Sequence, residues 1–191
     1  MNLFEITILA IALAMDCLTV SIVSGIILKE KSWKVILRMG FLFGFFQAMM
    51  PCIGWLGISS FADAIEAYDH WIAFALLTFL GVNMIREAFK PVEEHHFNPA
   101  RLITQLTLAV ATSIDALAVG VSFACMGYRE MSTLSLPLWI IGIVSFLFSI
   151  IGNLLGIRFG HAISNRLKPE LLGGAILIAI GCKILYTHIF V

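Results

Sequence analysis

Long apolar runs separated by short polar segments dominate the chain. Six runs reach or approach the roughly 20 residues that a helix needs to cross a bilayer. They cover residues 3–27, 36–60, 71–89, 102–126, 135–157 and 171–190. The segments between them are too short to hold a soluble domain. The pattern therefore predicts an all-α, polytopic membrane protein with six transmembrane helices, numbered here first to sixth.

Composition narrows the class of function. Hydrophobic residues make up 60% of the chain and the mean hydropathy is +0.99, which excludes an ordinary water-soluble protein. The formal net charge of +0 gives no indication of a nucleic-acid partner. The sequence has no GxxxxGK[ST] phosphate-binding loop. We therefore expect a protein that works within the bilayer, with lipid around it, and that is neither an enzyme nor the carrier of a cofactor.

Charge asymmetry predicts the orientation in the membrane. Basic residues cluster around the first, third and fifth connections, whereas the second connection is acidic. The basic residues are Lys29, Lys31, Lys34 and Arg38; Arg86, Lys90 and Arg101; and Arg158, Arg166 and Lys168. The positive-inside rule places those three connections in the cytoplasm, so both termini are predicted to face outward. The first run lacks a preceding basic segment and is too long for a signal peptide, so we expect it to be retained.

The two halves of the chain resemble each other. Asp16 and Asp115 lie in similar apolar contexts 99 positions apart, and residues 79–85 resemble residues 179–185. This predicts two three-helix repeats, residues 1–90 and 102–191, joined by a cytoplasmic linker at 91–101. Because three is odd, the repeats would have opposite orientations. Such inverted repeats are typical of transporters whose substrate site lies at the midplane between the halves.

Asp16 and Asp115 are the main candidates for chemistry. An ionised carboxylate near the centre of a membrane helix costs roughly 2.5 to 3.5 kcal/mol on an insertion scale, so such residues usually have a function. The alternative is a structural carboxyl that forms hydrogen bonds between helices. Two facing carboxylates repel each other, and a divalent cation or protons would remove that repulsion. We therefore predict a metal site at the repeat interface that exchanges metal for protons.

Hydroxyl oxygens lie one helical turn from each carboxylate. Thr19 shares a face with Asp16, and Thr112 shares a face with Asp115. Both are candidate metal ligands, although a threonine hydroxyl can instead bond to a carbonyl of its own helix.

The second predicted helix carries the other polar interruption. Gln47 and Pro51 are one turn apart, and a mid-helix proline is expected to kink or break the helix and free carbonyls that can coordinate an ion. Gln47 is a candidate ligand. Met50 offers a thioether that would favour a transition metal, although membrane methionines usually serve packing.

Several other features leave alternatives open. Gly40 with Gly44, and Gly152 with Gly156, have the GxxxG spacing of closely packed helices, which suits a homodimer as well as a monomer. Asn153 beside the second pair is either a ligand or a packing residue.

Other polar groups are equally open. Lys183 either pairs with a carboxylate or extends toward the interface. The segment Glu93–His96 either captures metal on the cytoplasmic side or is a solvated loop. The four cysteines are most simply small buried apolar residues.

The motifs Ala14–Cys17 and Ala111–Val121, with Gln47–Pro51 between them, resemble the bacterial manganese efflux pump family (MntP), which is related to the lysine exporter superfamily. The resemblance covers the whole chain. It implies a bacterial inner-membrane transporter that exports Mn²⁺ from the cytoplasm, with the family's two essential intramembrane aspartates at Asp16 and Asp115. Some members have a glutamate where this chain has Gln47, so a third carboxylate is missing here.

Energetics constrain how export would be driven. Moving a positive charge outward against an inside-negative potential costs about 2.3 kcal/mol per 100 mV, so a passive carrier would accumulate a divalent cation. Without an ATP site, inward proton flow is the predicted driver. The alternatives are an exporter of another divalent metal (Cd²⁺, Fe²⁺ or Zn²⁺), an exporter of a small cationic amino acid, and a membrane scaffold without transport activity.

Overall fold

Every element that the structure describes is a helix. In this computed structural model the described residues are 2–59, 98–126, 128 and 130–163, with isolated positions within 71–86 and 175–186. The helices are α1 (Leu3–Leu28), α2 (Trp33–Ser59), α3 (Leu102–Thr112), α4 (Ile114–Cys125) and α5 (Met131–Ile163). The described part of the chain contains no β-strand, which agrees with the predicted all-α class.

Among the described residues, four helical stretches are long and apolar enough to cross a membrane. They are Leu3–Leu28, Trp33–Gly57, Leu102–Cys125 and Met131–Arg158. These are the first, second, fourth and fifth predicted helices, and α3 and α4 together form the fourth. The third and sixth predicted helices, with most of the 91–101 linker, lie outside the described residues apart from isolated positions.

The two ends of α1 have distinct local causes. At its start the Asn2 backbone N–H donates to Glu5 Oε2 at 3.3 Å, and a carboxylate in the first turn also complements the helix dipole. At its end Lys29 adopts a left-handed conformation (φ 55°), and its N–H donates to the Gly25 carbonyl at 3.2 Å. Buried residues recur along α1 from Ile6 to Gly25, so α1 is a central helix of the bundle.

Helix directions follow from cross-helix contacts. α1 and α5 run parallel, because Ser21 Oγ lies 2.8 Å from Ser149 Oγ while Gly25, one turn further on, abuts Asn153. α2 runs antiparallel to α5, and therefore to α1, because Gly40 packs against Ile150 while Gly44 packs against Gly142. Gln47 Nε2 of α2 donates to the Leu13 carbonyl of α1 at 3.1 Å. α2 and the α3–α4 pair are parallel, because Arg38 contacts Gln105 while Trp55 contacts Tyr128.

Glycines let the backbones touch along three interfaces. In the one between α2 and α5, a Cβ added at Gly44 would overlap the Gly142 carbonyl oxygen. We call the other two the α1–α5 seam and the α2–α4 seam. In the α1–α5 seam an added Cβ at Gly25 would overlap the Asn153 carbonyl oxygen, and one at Gly156 would overlap that of Ile22. In the α2–α4 seam a Cβ at Gly54 would overlap the Leu117 carbonyl oxygen. A Cβ at Gly120 would likewise overlap the Pro51 carbonyl.

Both predicted GxxxG pairs are used within the chain. Gly152 and Gly156 pack against α1, while Gly40 and Gly44 pack against α5 beside Phe146. The pairs therefore do not present the exposed seams on which the homodimer alternative was based.

The interrupted helix is not the one that contains the mid-helix proline Pro51. α2 stays one helix through Pro51, so the proline does not break it. The fourth predicted helix, expected to be continuous, is instead interrupted at Ser113 (φ −107°, ψ 4°). The Ser113 hydroxyl donates to the Ala109 carbonyl at 2.7 Å, and the Thr112 hydroxyl donates to the Leu108 carbonyl at 2.9 Å. Two consecutive hydroxyls thus bond to the carbonyls of the last α3 turn, a pattern known to bend helices.

Polar contacts tie the helices together at each end of the bundle. At the end that carries Lys29, Lys31 and Lys34, called here the basic end, Arg38 donates to Gln105 Oε1 and to the Ala100 carbonyl, each at 2.7 Å. Gln105 is fully buried.

At the opposite end the Trp55 indole N–H donates to the Tyr128 carbonyl, and the Phe123 and Tyr128 rings lie 5.2 Å apart. Burial, with a smaller contribution from the Glu5 carboxylate, raises the pKa of the Tyr128 hydroxyl above its ordinary value. The loop before α5 is therefore anchored to α2 and α4.

Candidate metal site

Asp115 lies in the first turn of α4, two residues after the interruption at Ser113. Its Oδ1 accepts a hydrogen bond from the Ala116 backbone N–H at 2.8 Å. The positive end of a helix dipole stabilises a nearby carboxylate. Interrupted helices are also how transporter folds present backbone dipoles to ions inside the membrane. The interruption thus gives Asp115 a polar setting within an otherwise apolar span.

Cys17 shows which elements converge at the depth of the carboxylates. Its side chain is fully buried on α1, directly after the half-buried Asp16. The thiol lies beside the hydroxyls of Thr112 and Ser145 and within electrostatic range of both Asp16 and Asp115. α1, the α3–α4 junction and α5 therefore meet here, and both predicted aspartates lie in this region.

The donor set at this place is rich in oxygen. Among the described residues, no group of three or more histidine, cysteine, aspartate or glutamate side chains is arranged to hold a metal ion. For an ion held between Asp16 and Asp115, the further donors that this part of the chain offers are hydroxyl, amide and backbone carbonyl oxygens. Such hard oxygen donors suit Mg²⁺, Ca²⁺ and Mn²⁺.

The two threonines donate to their own helices. Thr19 Oγ1 donates to the Met15 carbonyl at 3.1 Å, and Thr112 Oγ1 donates to the carbonyls of Leu108 and Ala109. Donation uses the hydroxyl hydrogen and leaves oxygen lone pairs that can face a cation. Of the two, Thr112 is the one placed beside Cys17.

Gln47 is fully buried and reaches across to α1. Its Nε2 donates to the carbonyl of Leu13, which lies one turn before Asp16 on the same helix face. Its Oε1 is also buried and has no hydrogen-bond partner among the described residues. Pro51 has no N–H to donate to the Gln47 backbone carbonyl, so this residue combines two oxygen acceptors at one position.

Met50 is partly buried and packs against an apolar cluster that includes Leu13, Trp55 and Phe123. This placement provides apolar packing whether or not the thioether also meets an ion. The segment Glu93–His96 and Lys183 lie outside the described residues.

Sequence reasoning missed three features of this region: the interruption at Ser113, the position of Cys17 and the presence of Ser145. Thr112 and Ser113 are consecutive hydroxyl residues, and only Ile114 separates them from the intramembrane Asp115, which was the available signal for the interruption. Ser145, Ser149 and Asn153 recur every four residues in an apolar span, which signals one polar helix face.

Comparisons with known proteins give one consistent result. Residues 30–185 match the family described as "Putative manganese efflux pump". Proteins named "Putative manganese efflux pump MntP" are 58% identical in Bacteroides fragilis, 53% in Bacteroides thetaiotaomicron and 50% in Phocaeicola vulgatus. The alignments cover 97%, 97% and 100% of this chain and 96%, 97% and 99% of those relatives, respectively. No solved structure matches the chain.

Proposed function

Because this chain belongs to the manganese efflux pump family, we propose that it exports Mn²⁺ from the cytoplasm across the bacterial inner membrane. The relatives' names supply the substrate and the direction, and the four long apolar stretches supply the membrane setting. The basic end would face the cytoplasm and both termini would face outward.

The observation that carries the proposal is the convergence around Cys17. It brings two intramembrane carboxylates, a helix interruption and several oxygen donors into one buried region. Asp16 and Asp115 would share one Mn²⁺, and Thr112 and the Gln47 side-chain oxygen would complete the coordination. Thr19 and Met50 are the remaining candidate ligands. The buried acceptor of Gln47 supports this assignment, because an unsatisfied buried polar atom costs about 1 to 3 kcal/mol.

Proton antiport would supply the driving force. In the outward-facing state each carboxylate would take up a proton as Mn²⁺ leaves. In the inward-facing state both protons would be released as the next Mn²⁺ binds. One Mn²⁺ would then exchange for two protons, so the cycle would be electroneutral and would not be opposed by the membrane potential.

The helix packing supports an inverted-repeat arrangement for this cycle. If residues 1–90 and 102–191 are equivalent, α1 corresponds to α3–α4 and α2 corresponds to α5. The parallel α1–α5 pair then corresponds to the parallel pair of α3–α4 with α2, and glycines form both seams. The interface between the repeats is where a transporter of this kind holds its substrate.

The test is Mn²⁺ uptake into proteoliposomes that contain the purified chain and carry an acidic interior. We expect uptake that stops when the pH gradient is collapsed, and loss of uptake in Asp16→Asn and in Asp115→Asn. Glu130→Gln removes a carboxylate from the exposed loop before α5 and serves as the matched control. Cd²⁺, Zn²⁺, Fe²⁺ and lysine offered as competitors would identify the alternative substrates. Full uptake by both aspartate variants would contradict the proposed site.

A further inference from the structure

A buried polar stripe runs along the α1–α5 seam from the aspartate region toward the basic end. Ser145 lies beside Cys17, Ser149 Oγ contacts Ser21 Oγ at 2.8 Å, and Asn153 abuts Gly25. The three α5 residues are spaced by four and all are fully buried. Packing alone does not require polar side chains here, because glycines already bring the two backbones into contact.

Asn153 is the stripe member closest to the basic end, and it and Ser145 each have a buried polar atom without a hydrogen-bond partner among the described residues. Its Nδ2 donates to the Ser149 carbonyl at 3.0 Å and points at the Met39 sulfur at 3.7 Å. Its Oδ1 is buried without a hydrogen-bond partner in the described part of the chain. Nδ2 and Oδ1 are bonded to the same carbon, so rotation of the amide would turn the oxygen toward the Met39 thioether.

Resting on the proposed function, we infer that Asn153 forms a transit site for partly dehydrated Mn²⁺ between the basic end and the aspartate pair. The ligands would be the Asn153 Oδ1, the hydroxyls of Ser21 and Ser149, and the Met39 sulfur. Neutral oxygen donors suit a transit site, because this site must bind the ion more weakly than the carboxylates that receive it. The seam is closed in this structure, so α1 and α5 would separate to admit the ion and the Ser21–Ser149 hydrogen bond would break.

The experiment measures Mn²⁺ transport by the full chain from each side of the membrane, in vesicles of known orientation. For Asn153→Leu we expect the KM for Mn²⁺ presented at the basic end to rise by about tenfold, the effect of losing one hydrogen-bonding group to a charged partner. The KM for Mn²⁺ presented at the opposite end should not change. Asn153→Asp should lower the KM at the basic end and slow turnover, because the added charge would retain the ion.

Ser122→Ala is the matched control, since Ser122 is fully buried on α4 and its hydroxyl donates to the Ala118 carbonyl of its own helix at 3.1 Å. If Asn153→Leu is not recovered in the membrane, Ser149→Ala carries the same expectation with a smaller change. Unchanged KM values, or equal changes at both ends, would overturn the transit site. The proposed function would survive that result, and it fails separately if the wild type does not transport Mn²⁺.

Discussion

The α1–α5 and α2–α4 seams are built alike but filled differently. In both, glycines allow parallel helices to touch backbone to backbone. The α1–α5 seam carries the fully buried polar groups of Ser21, Ser149 and Asn153. The α2–α4 seam is instead bordered by apolar surface, with Trp55 and Phe123 in one cluster with Leu9 and Leu13. Two seams with equally close backbones therefore differ in whether their side chains could contact an ion.

The difference between the two seams suggests two roles: the apolar α2–α4 seam holds the bundle together, and the polar α1–α5 seam lets an ion pass. Apolar surface gives a cation no ligand, so we expect the α2–α4 seam to hold its two helices together and to offer the ion no path. A polar stripe can replace part of an ion's hydration shell when the helices part. The first two predictions below test whether one seam is fixed and the other opens. The third tests a ligand beside the carboxylates, and the last tests an end contact.

The largest effect is expected in the fixed seam. Gly120→Val would drive a side chain into the Pro51 backbone, and we expect a cost near the upper end of the usual range for overpacking, about 3 kcal/mol. Gly57→Val makes the same change where an added Cβ meets nothing within 4 Å. We expect Gly120→Val to lower the Tm and the yield of monodisperse protein well below those of Gly57→Val. Equal Tm values would show that the α2–α4 seam accommodates an added side chain without loss of stability.

Locking the α1–α5 seam should stop transport without unfolding the protein. The hydroxyl oxygens of Ser21 and Ser149 are 2.8 Å apart, so cysteines at both positions are placed to form a disulfide. The Ser21→Cys, Ser149→Cys double variant should lose Mn²⁺ transport on oxidation and regain it on reduction. The Ser21→Cys single variant, oxidised in the same way, controls for the native cysteines. Full transport by the cross-linked protein would mean that this seam does not open.

A moderate effect is expected where the seams meet the carboxylates. Gln47→Leu removes the buried Oε1 and the bond to the Leu13 carbonyl while keeping a similar volume. Mn²⁺ affinity should fall by about tenfold, the loss expected when one neutral ligand to a cation disappears. Titration with Mn²⁺ measured by electron paramagnetic resonance reports the free ion directly. An unchanged Kd would remove Gln47 from the ligand set.

The smallest effect is expected at the end contact of α2. Trp55→Phe keeps a six-membered aromatic ring but removes the hydrogen bond to the Tyr128 carbonyl and the rest of the buried indole. The free energy of unfolding should fall by about 1 to 2 kcal/mol. Thermal unfolding in detergent measures this change, and transport should stay close to that of the wild type. A large loss of transport would instead assign this contact to the ion path.

The sequence predicted the features that depend on local pattern. Apolar run length predicted the spans, and α1, α2 and α5 are found close to the predicted positions. The two aspartates could be singled out because a charge in an apolar run is costly wherever the helix packs. The matched motifs also identified the family correctly.

The remaining features depend on how helices pack, which a pattern along one helix cannot specify. Pro51 was the expected place of interruption, yet its carbonyl packs against Gly120 and α2 stays helical. The sequence did not predict an interruption at Ser113, because a single hydroxyl residue is common within a helix. Here the hydroxyls of Thr112 and Ser113 both donate to carbonyls of the preceding turn, which depends on their side-chain conformations. Cys17 could not be assigned to the site before its neighbours on α3 and α5 were known.

The central claim is that Asp16 and Asp115 exchange protons for Mn²⁺. Its most direct measurement is the number of protons released when Mn²⁺ binds to the purified chain, obtained by calorimetry in buffers of different ionisation enthalpy. The account predicts proton release by the wild type and by Glu130→Gln, and a clear decrease in Asp16→Asn and in Asp115→Asn. Mn²⁺ binding by the wild type without proton release, or undiminished release from both aspartate variants, would contradict it.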